Sequence, residues 1–307
     1  MTSHRYDVLD TLRGVAALLV MLFHMAQHKL LPQWLPHGYL AVDFFFIVSG
    51  VVIAHSYEDR LARGMGLGSF MLRRVVRLYP LLVLGVAIGS VVRLARYLAA
   101  PASVDPLDEL LVASVLNSVL VPMVYGSEMA SRALYPVNGP LWSLFFELVA
   151  NLAWAALLVG RRTRVLVVVV LVAALLDAAC IRHWGHANIG WDRDSFVAGF
   201  PRVTYGFTLG VLLYRWRDQL RWPAGRLTDL ALAAALVLVA LPAPSARWDM
   251  VCVFLLLPLL VAAGLGRSSH RVGQAIGNSS YPIYVLHFPL IVLAVELQRS
   301  LPDGLSR

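Results

Sequence analysis

Arg13 and His24 set an anion-binding guanidinium and a proton-accepting imidazole eleven residues apart in the otherwise apolar run 11–24. Within a lipid-spanning helix the charged member costs about 2.5–3.5 kcal/mol, so such residues are functional candidates by default. At 100° per residue, eleven steps return to within about 20° of the start. Both side chains therefore share one face, roughly 16 Å apart along the axis. Asp10, one turn before Arg13, can pair with it and hold its fork in place; the same pair would also serve as a lock between helices. His24, near the far end of the run, reads on its own as an interfacial histidine and, with a polar partner, as a base.

Further polar groups fall inside apolar stretches. In Tyr39-Leu-Ala-Val-Asp43-Phe-Phe-Phe-Ile-Val-Ser49-Gly50, Asp43 lies at the depth of His24 and is expected to orient its imidazole and support the cationic form. Arg73, Arg74 and Arg77 occupy the tract 70–80, where the last two, a turn apart, can converge on a polyanion. The alternative is that all three are retained positive charges meeting anionic lipid. The segment Asn138-Gly-Pro-Leu-Trp142-Ser143-Leu-Phe-Phe-Glu147 buries a carboxyl group about one and a half turns into a span. There it must be neutral, paired or facing water, and Arg93, Arg96 and Arg202 are the candidates for a structural pair. Tyr284 and His287 share a face in 279–289, where Pro282 and Pro289 bracket a helix distorted around a cavity. Cys180 and Cys252 stand apart, with no thiol or histidine at ligand spacing, so neither a disulfide framework nor a metal site is expected.

The elements that must position these groups follow from composition: 59% hydrophobic, 14% charged, mean hydropathy +0.71. An all-α, polytopic transmembrane bundle is expected. Apolar stretches of spanning length lie near 8–27, 39–56, 78–98, 141–159, 164–181, 199–214, 228–241, 249–265 and 279–297. The first is read as a retained anchor, because Asp10 and Arg13 interrupt its core and no small-residue cleavage site follows. Clusters at 60–77, 161–164, 215–226 and 267–271, with Arg5, hold most of the 26 basic residues. Retention of positive loops inside then puts the amino terminus in the cytoplasm, in the inner (plasma) membrane. That orientation requires 109–122 to be re-entrant or interfacial rather than spanning, and leaves the carboxyl terminus outside. One membrane domain, 1–307, without an appended soluble domain is expected. The net charge of +8 reflects these loops; no basic stripe with interleaved aromatics appears, so nucleic acid is not an expected partner.

Five motifs in order carry a resemblance to the acyltransferase family 3 membrane proteins. They are Leu9-Asp10-x-Leu12-Arg13-Gly14 with the spacing to His24; Asp43-x-Phe45-Phe46-x-x-Ser49-Gly50; Arg74-x-x-Arg77-x-x-Pro80; Leu141-Trp142-Ser143-Leu144-x-x-Glu147; and Ser280-Tyr281-x-x-Tyr284-x-x-His287-x-Pro289. The resemblance spans nearly the whole chain. Family members generally continue past the last motif with one more helix, ten in all, whereas this sequence stops at Arg307. A short member or a truncated frame is the expectation there.

The resemblance implies transfer of an acyl group, usually acetyl, from cytoplasmic acyl-CoA to a saccharide or glycan acceptor at the outer face, with acetyl-CoA as co-substrate and no permanently bound cofactor. It implies that His24 is the general base, or a transient acyl carrier, oriented by Asp43. Arg13 would hold the pantetheine or phosphate end of the donor, and Arg73, Arg74 and Arg77 the nucleotide phosphates. Glu147, placed with the catalytic groups, would line the acceptor side with Trp142 and His287; Asp10, Ser49, Ser143 and Tyr284 fill acceptor-side or structural roles. Trp184, Trp191, Tyr125 and Tyr135 in the outer loops are candidates for stacking on sugar faces. Midplane charges and broken helices equally describe a transporter or flippase for an anionic lipid-linked sugar, and truncation an inactive member.

Overall fold

A computed structural model of the chain describes residues 7–99, 106–125, 132–220, 226–241, 245–265 and 271–300. Arg5, Arg221 and Arg267, counted among the loop charges above, lie outside them, as does Arg307.

Helix α1 (Asp7–Gln27) is followed by a 3-10 turn (Gly38–Leu40), α2 (Ala41–Ala62) and α3 (Leu67–Ala99). The short α4 (Leu107–Ser118) leads to α5 (Leu141–Ala153), whose last turn widens into a π-turn, Trp154–Leu158. Then come α6 (Thr163–Trp184), α7 (Gly199–Arg215), α8 (Arg226–Val239) and α9 (Ala246–Val251). A second π-turn, Cys252–Leu256, joins α9 to α10 (Leu257–Gly264), and α11 (Arg271–Ser300) follows. Among the described residues the only strand-like pairing is one isolated bridge, Ala133 to Asp192. The all-α bundle read from the sequence is what forms.

Eight helices among the described residues are long and apolar enough to cross a membrane. The ninth segment, expected at 228–241, is apolar helix only over Leu230–Val239, short of a full span. The segment expected to be re-entrant or interfacial is α4, of twelve residues, packed against α3. The basic tract 70–77 is continuous with the span after it: α3 runs for 33 residues, with Pro80 inside. Its arginines thus ride on a rigid extension of a spanning helix and not on a loop.

Two close helix pairs hold the site. Helices α1 and α11 approach until a Cβ at Gly14 would lie 2.1 Å from the Ile276 side chain, and one at Gly277 2.6 Å from the Asp10 carbonyl oxygen. Helices α2 and α7 meet at Gly50 and Gly210, where a Cβ would stand 2.0 Å from the carbonyls of Phe207 and Ile47 respectively. In lipid, where apolar side chains gain little by meeting each other, such small-residue seams let backbones pack tightly. The glycines of Leu-Arg-Gly and Ser-Gly are therefore packing residues for α1 and α2, beside the polar residues those helices carry.

Candidate active site

Helices α1, α2, α3, α5 and α11 enclose a cavity of about 100 Å³. Arg13, Arg74 and Arg77 line one end with Glu147 and Ser49; Ser143, Tyr284, Phe45 and Val42 line the other. Arg13 Nη1 lies 3.1 Å from Asp10 Oδ1 on its own helix. Glu147 Oε1 accepts from Arg74 Nη2 at 2.7 Å and from Ser49 Oγ at 2.8 Å. Arg74 is buried, and its Nε has no hydrogen-bond partner in the described structure. The cavity thus holds three guanidinium groups against one carboxylate on its wall and one beside Arg13, a positive excess suited to an anion.

The cavity stops at Tyr284. Its hydroxyl lies 2.6 Å from Ser143 Oγ, which in turn donates to the Pro140 carbonyl at 3.1 Å. The Tyr284 ring packs against Phe45, centroids 5.3 Å apart, and against His287 at 6.0 Å. Next along α11 and α1 stand His287 and His24, rings 5.0 Å apart, with His287 Nε2 3.1 Å from His24 Nδ1. Phe288 and Phe23 meet the His24 ring edge-on at 5.5 and 5.3 Å.

The surrounding acceptors assign both tautomers. His287 Nδ1 lies 3.0 Å from the Ile283 carbonyl, which can only accept, so Nδ1 carries the proton and Nε2 a lone pair. His24 Nδ1 faces that lone pair and, at 2.9 Å, the Val20 carbonyl. Both are acceptors, so this nitrogen is the protonated one, and His24 Nε2 is left with its lone pair. The Val20 carbonyl and His287 together therefore do for His24 what a carboxylate does in other bases: they fix which nitrogen can take a proton.

Asp43, expected in that role, is elsewhere. It accepts from Arg202 Nε at 2.8 Å and Nη2 at 2.7 Å, a two-pronged buried pair; Arg202 Nη1 also donates to the Ile189 carbonyl at 2.7 Å. The Arg202 guanidinium lies over the Trp142 ring, 5.2 Å from its centroid. Rotation of α2 turns Asp43 toward α7, and with Tyr39, one turn before it, packed beside Phe23, Asp43 lies deeper in the bundle than His24. Arg202 was the missed residue, and the signal was present: a guanidinium inside the apolar span 199–214 demands a carboxylate at its own depth. Nearby, Asp249 accepts from the Ala187 N–H at 2.7 Å and the Tyr39 hydroxyl at 2.8 Å, and lies 2.9 Å from His37 Nδ1.

Four other expectations are revised. Glu147 lies with the arginines, on the opposite side of Tyr284 from His287, because its place in α5 brings it to Arg74; its partner is none of Arg93, Arg96 and Arg202. Trp142 packs beneath Arg202 and on Phe46 and Phe146 and does not line the cavity. Arg73 is exposed and outside the cavity that Arg74 and Arg77 line. Of the loop aromatics, Tyr135 is fully buried with its hydroxyl on the Leu120 carbonyl at 2.9 Å, which removes it from any sugar-stacking surface. Tyr125 and Trp191 are exposed.

A multi-pass membrane protein with an arginine-lined cavity and a histidine of fixed tautomer along the same two helices has the parts of a group-transfer enzyme. The chain belongs to acyltransferase family 3, whose acyltransferase domain matches residues 6–302, and it is an O-acyltransferase. It is 37% identical over 186 residues to "Protein 2 in picA locus" of Rhizobium radiobacter, 57% of this chain and 95% of that one. Over 303 residues it is 27% identical to "Putative membrane-bound transacylase BcsY" of Komagataeibacter xylinus, 95% of this chain and 74% of that one. A stretch of 93 residues, 29% of this chain and 14% of the relative, is 36% identical to a Staphylococcus aureus protein named "Putative O-acetyltransferase". No solved structure matches the chain.

Proposed function

We propose that the chain moves an acyl group, most simply acetyl, from acyl-CoA entering on the cytoplasmic side of the inner membrane to a hydroxyl of a saccharide or glycan precursor on the outer side. The observation that carries this reading is the stacking, on α1 and α11, of an arginine-lined cavity at one end and a tautomer-fixed histidine at the other. The arginine-rich loops give the direction, with the amino terminus inside. Anionic groups of the donor sit among Arg13, Arg74 and Arg77, through charge-assisted hydrogen bonds. The pantetheine arm runs from there toward Tyr284. The roughly 16 Å between Arg13 and His24 along the axis suits an extended arm, so the thioester reaches the histidines while the nucleotide stays at the arginines.

In the reaction, His24 Nε2 takes the proton of the acceptor hydroxyl as its oxygen attacks the thioester carbonyl. The new C–O bond forms and the C–S bond breaks, releasing the CoA thiolate. The proton held on His24 then passes to the thiolate or to water, which returns the imidazole to its starting state. Through these steps Nδ1–H stays on the Val20 carbonyl and His287. Transfer of labelled acetyl from acetyl-CoA to extracted glycan, measured in membranes, tests the reading. His24→Ala is expected to lower the rate by about 10²–10⁴-fold at normal protein level, the contribution of a positioned base. Full activity in that variant overturns it.

A further inference from the structure

The turn of α11 that carries His287 is incomplete as a helix. Pro289 has no N–H, so the carbonyl of Val285 lacks its partner in the helical ladder. Val285 is fully buried, yet this oxygen is not orphaned: Asn138 Nδ2 donates to it at 3.0 Å. Asn138 sits in the turn before α5, fixed by its own N–H on the Tyr135 carbonyl at 3.2 Å and by its carbonyl accepting from Leu141 N–H at 3.1 Å. Gly85 of α3 makes the room, since a Cβ there would lie 2.7 Å from Asn138 Nδ2 and 3.1 Å from the Val285 oxygen. Three separate segments thus converge on one carbonyl. Asn138 is completely buried and its Oδ1 has no hydrogen-bond partner in the described structure. Turning the amide over would set oxygen against oxygen, so the donor must face Val285. A side chain that leaves one polar atom unpaired inside an apolar seam to satisfy a carbonyl on another helix is poorly explained by stability alone.

We propose that Asn138 is a positioning residue for acyl transfer: it supplies the donor that Pro289 cannot, and so fixes the turn 285–289 and the aim of His287 at His24. His287 stands two residues from Val285 and two from Pro289, and its Nε2 meets His24 Nδ1 at 3.1 Å. A rotation of that turn takes His287 Nε2 off the Nδ1 proton and leaves the Val20 carbonyl to hold it alone, so the imidazolium formed when His24 takes a proton loses one of the two acceptors that steady it. This inference rests on His24 being the base.

The test uses Asn138→Leu, which keeps the branching against Gly85 and deletes the donor, and Pro289→Ala, which returns an N–H to Val285. Asn138→Leu is expected to lower kcat about tenfold and to displace the acidic limb of the kcat–pH profile, with donor KM changed by less than about twofold. In the full-length protein in detergent it lowers the melting temperature, and does so much less in the Pro289→Ala background, where the carbonyl already has a partner. An unchanged kcat and pH profile overturns the proposal, as does an equal loss of melting temperature in both backgrounds, which would make Asn138 a packing residue only. His24→Ala assayed in parallel separates the two ideas. Retained transfer there sinks the base assignment itself; an unmoved pH profile in Asn138→Leu, with His24→Ala inactive, sinks the positioning role alone.

Discussion

Two buried arginine–carboxylate pairs cross this bundle, and they are built differently. Arg202 and Asp43 are nearly sealed, joined by two hydrogen bonds, with a further donor on the Ile189 carbonyl and an aromatic ring beneath. Arg74 and Glu147 share one contact, leave Arg74 Nε unpartnered, and open onto a cavity with two more guanidinium groups. A closed pair has spent its hydrogen-bonding capacity on itself and joins α2 to α7. An open pair with surplus donors is a place for something else to bind. The residue types are the same; the difference lies in how many donors remain and what space they face.

The sharpest way to break that contrast is to remove one member of the closed pair. Arg202→Met leaves Asp43 as an uncompensated buried charge and is expected to cost about 3–5 kcal/mol, enough to deplete folded protein. Asp43→Leu combined with Arg202→Met removes both charges and is expected to recover most of the accumulation, measured by size-exclusion chromatography in detergent. A variant Arg202→Met that accumulates normally but has lost transfer would move this pair from the scaffold into the chemistry.

The open pair should behave in the opposite way. Arg74→Met leaves Glu147 within reach of cavity water and beside the other arginines, so a fall in melting temperature well below that of Arg202→Met is expected. The loss appears in donor binding: donor KM rises roughly 10- to 100-fold, the worth of one charged hydrogen bond. A fall in kcat with donor KM unchanged would place Arg74 at the reacting atoms instead, and the cavity would no longer be the donor's entry.

What the sequence made legible follows from which distances are short along the chain. Arg13 with Asp10, and Tyr284 with His287, lie within one helix, so helical spacing alone placed each pair on a common face. Helix type, and eight of the nine expected spans, followed from hydropathy, because lipid leaves the backbone few alternatives. Partners across helices were another matter. Depth in the bilayer is read only coarsely from position in a span: Tyr39 packs beside Phe23, so Asp43 lies about one turn past the level of His24. Rotation about the helix axis is decided by packing, here by the glycine seam that turns one face of α2 onto α7. Thus Asp43 found Arg202, and the partner of His24 came from α11, whose motif had been read as acceptor lining. Asn138 was quoted within a motif without a role, since its bond partner lies 147 residues away at a carbonyl that only the fold reveals.

The smallest expected effect separates two arginines that the sequence could not. In α3, Arg77 falls between Arg73 and Arg74 in angular position, and Arg73 lies about 100° around the helix from Arg74. Arg74 is buried; Arg73 and Arg77 are both exposed, but only Arg77 lines the cavity. If the cavity and not the overall positive charge of the tract holds the donor, the two exposed-side arginines should differ although each substitution removes one charge. Arg77→Ala is expected to raise donor KM about tenfold, and Arg73→Ala to change it less than about twofold, as for an exposed residue away from a site. The salt dependence of donor KM adds a second reading, since screening weakens a diffuse field of exposed charges more than a direct contact with the donor. Equal increases for both variants, both abolished by salt, would mean that the tract attracts the donor as a diffuse field; the open pair would then lose its claim to be a built site.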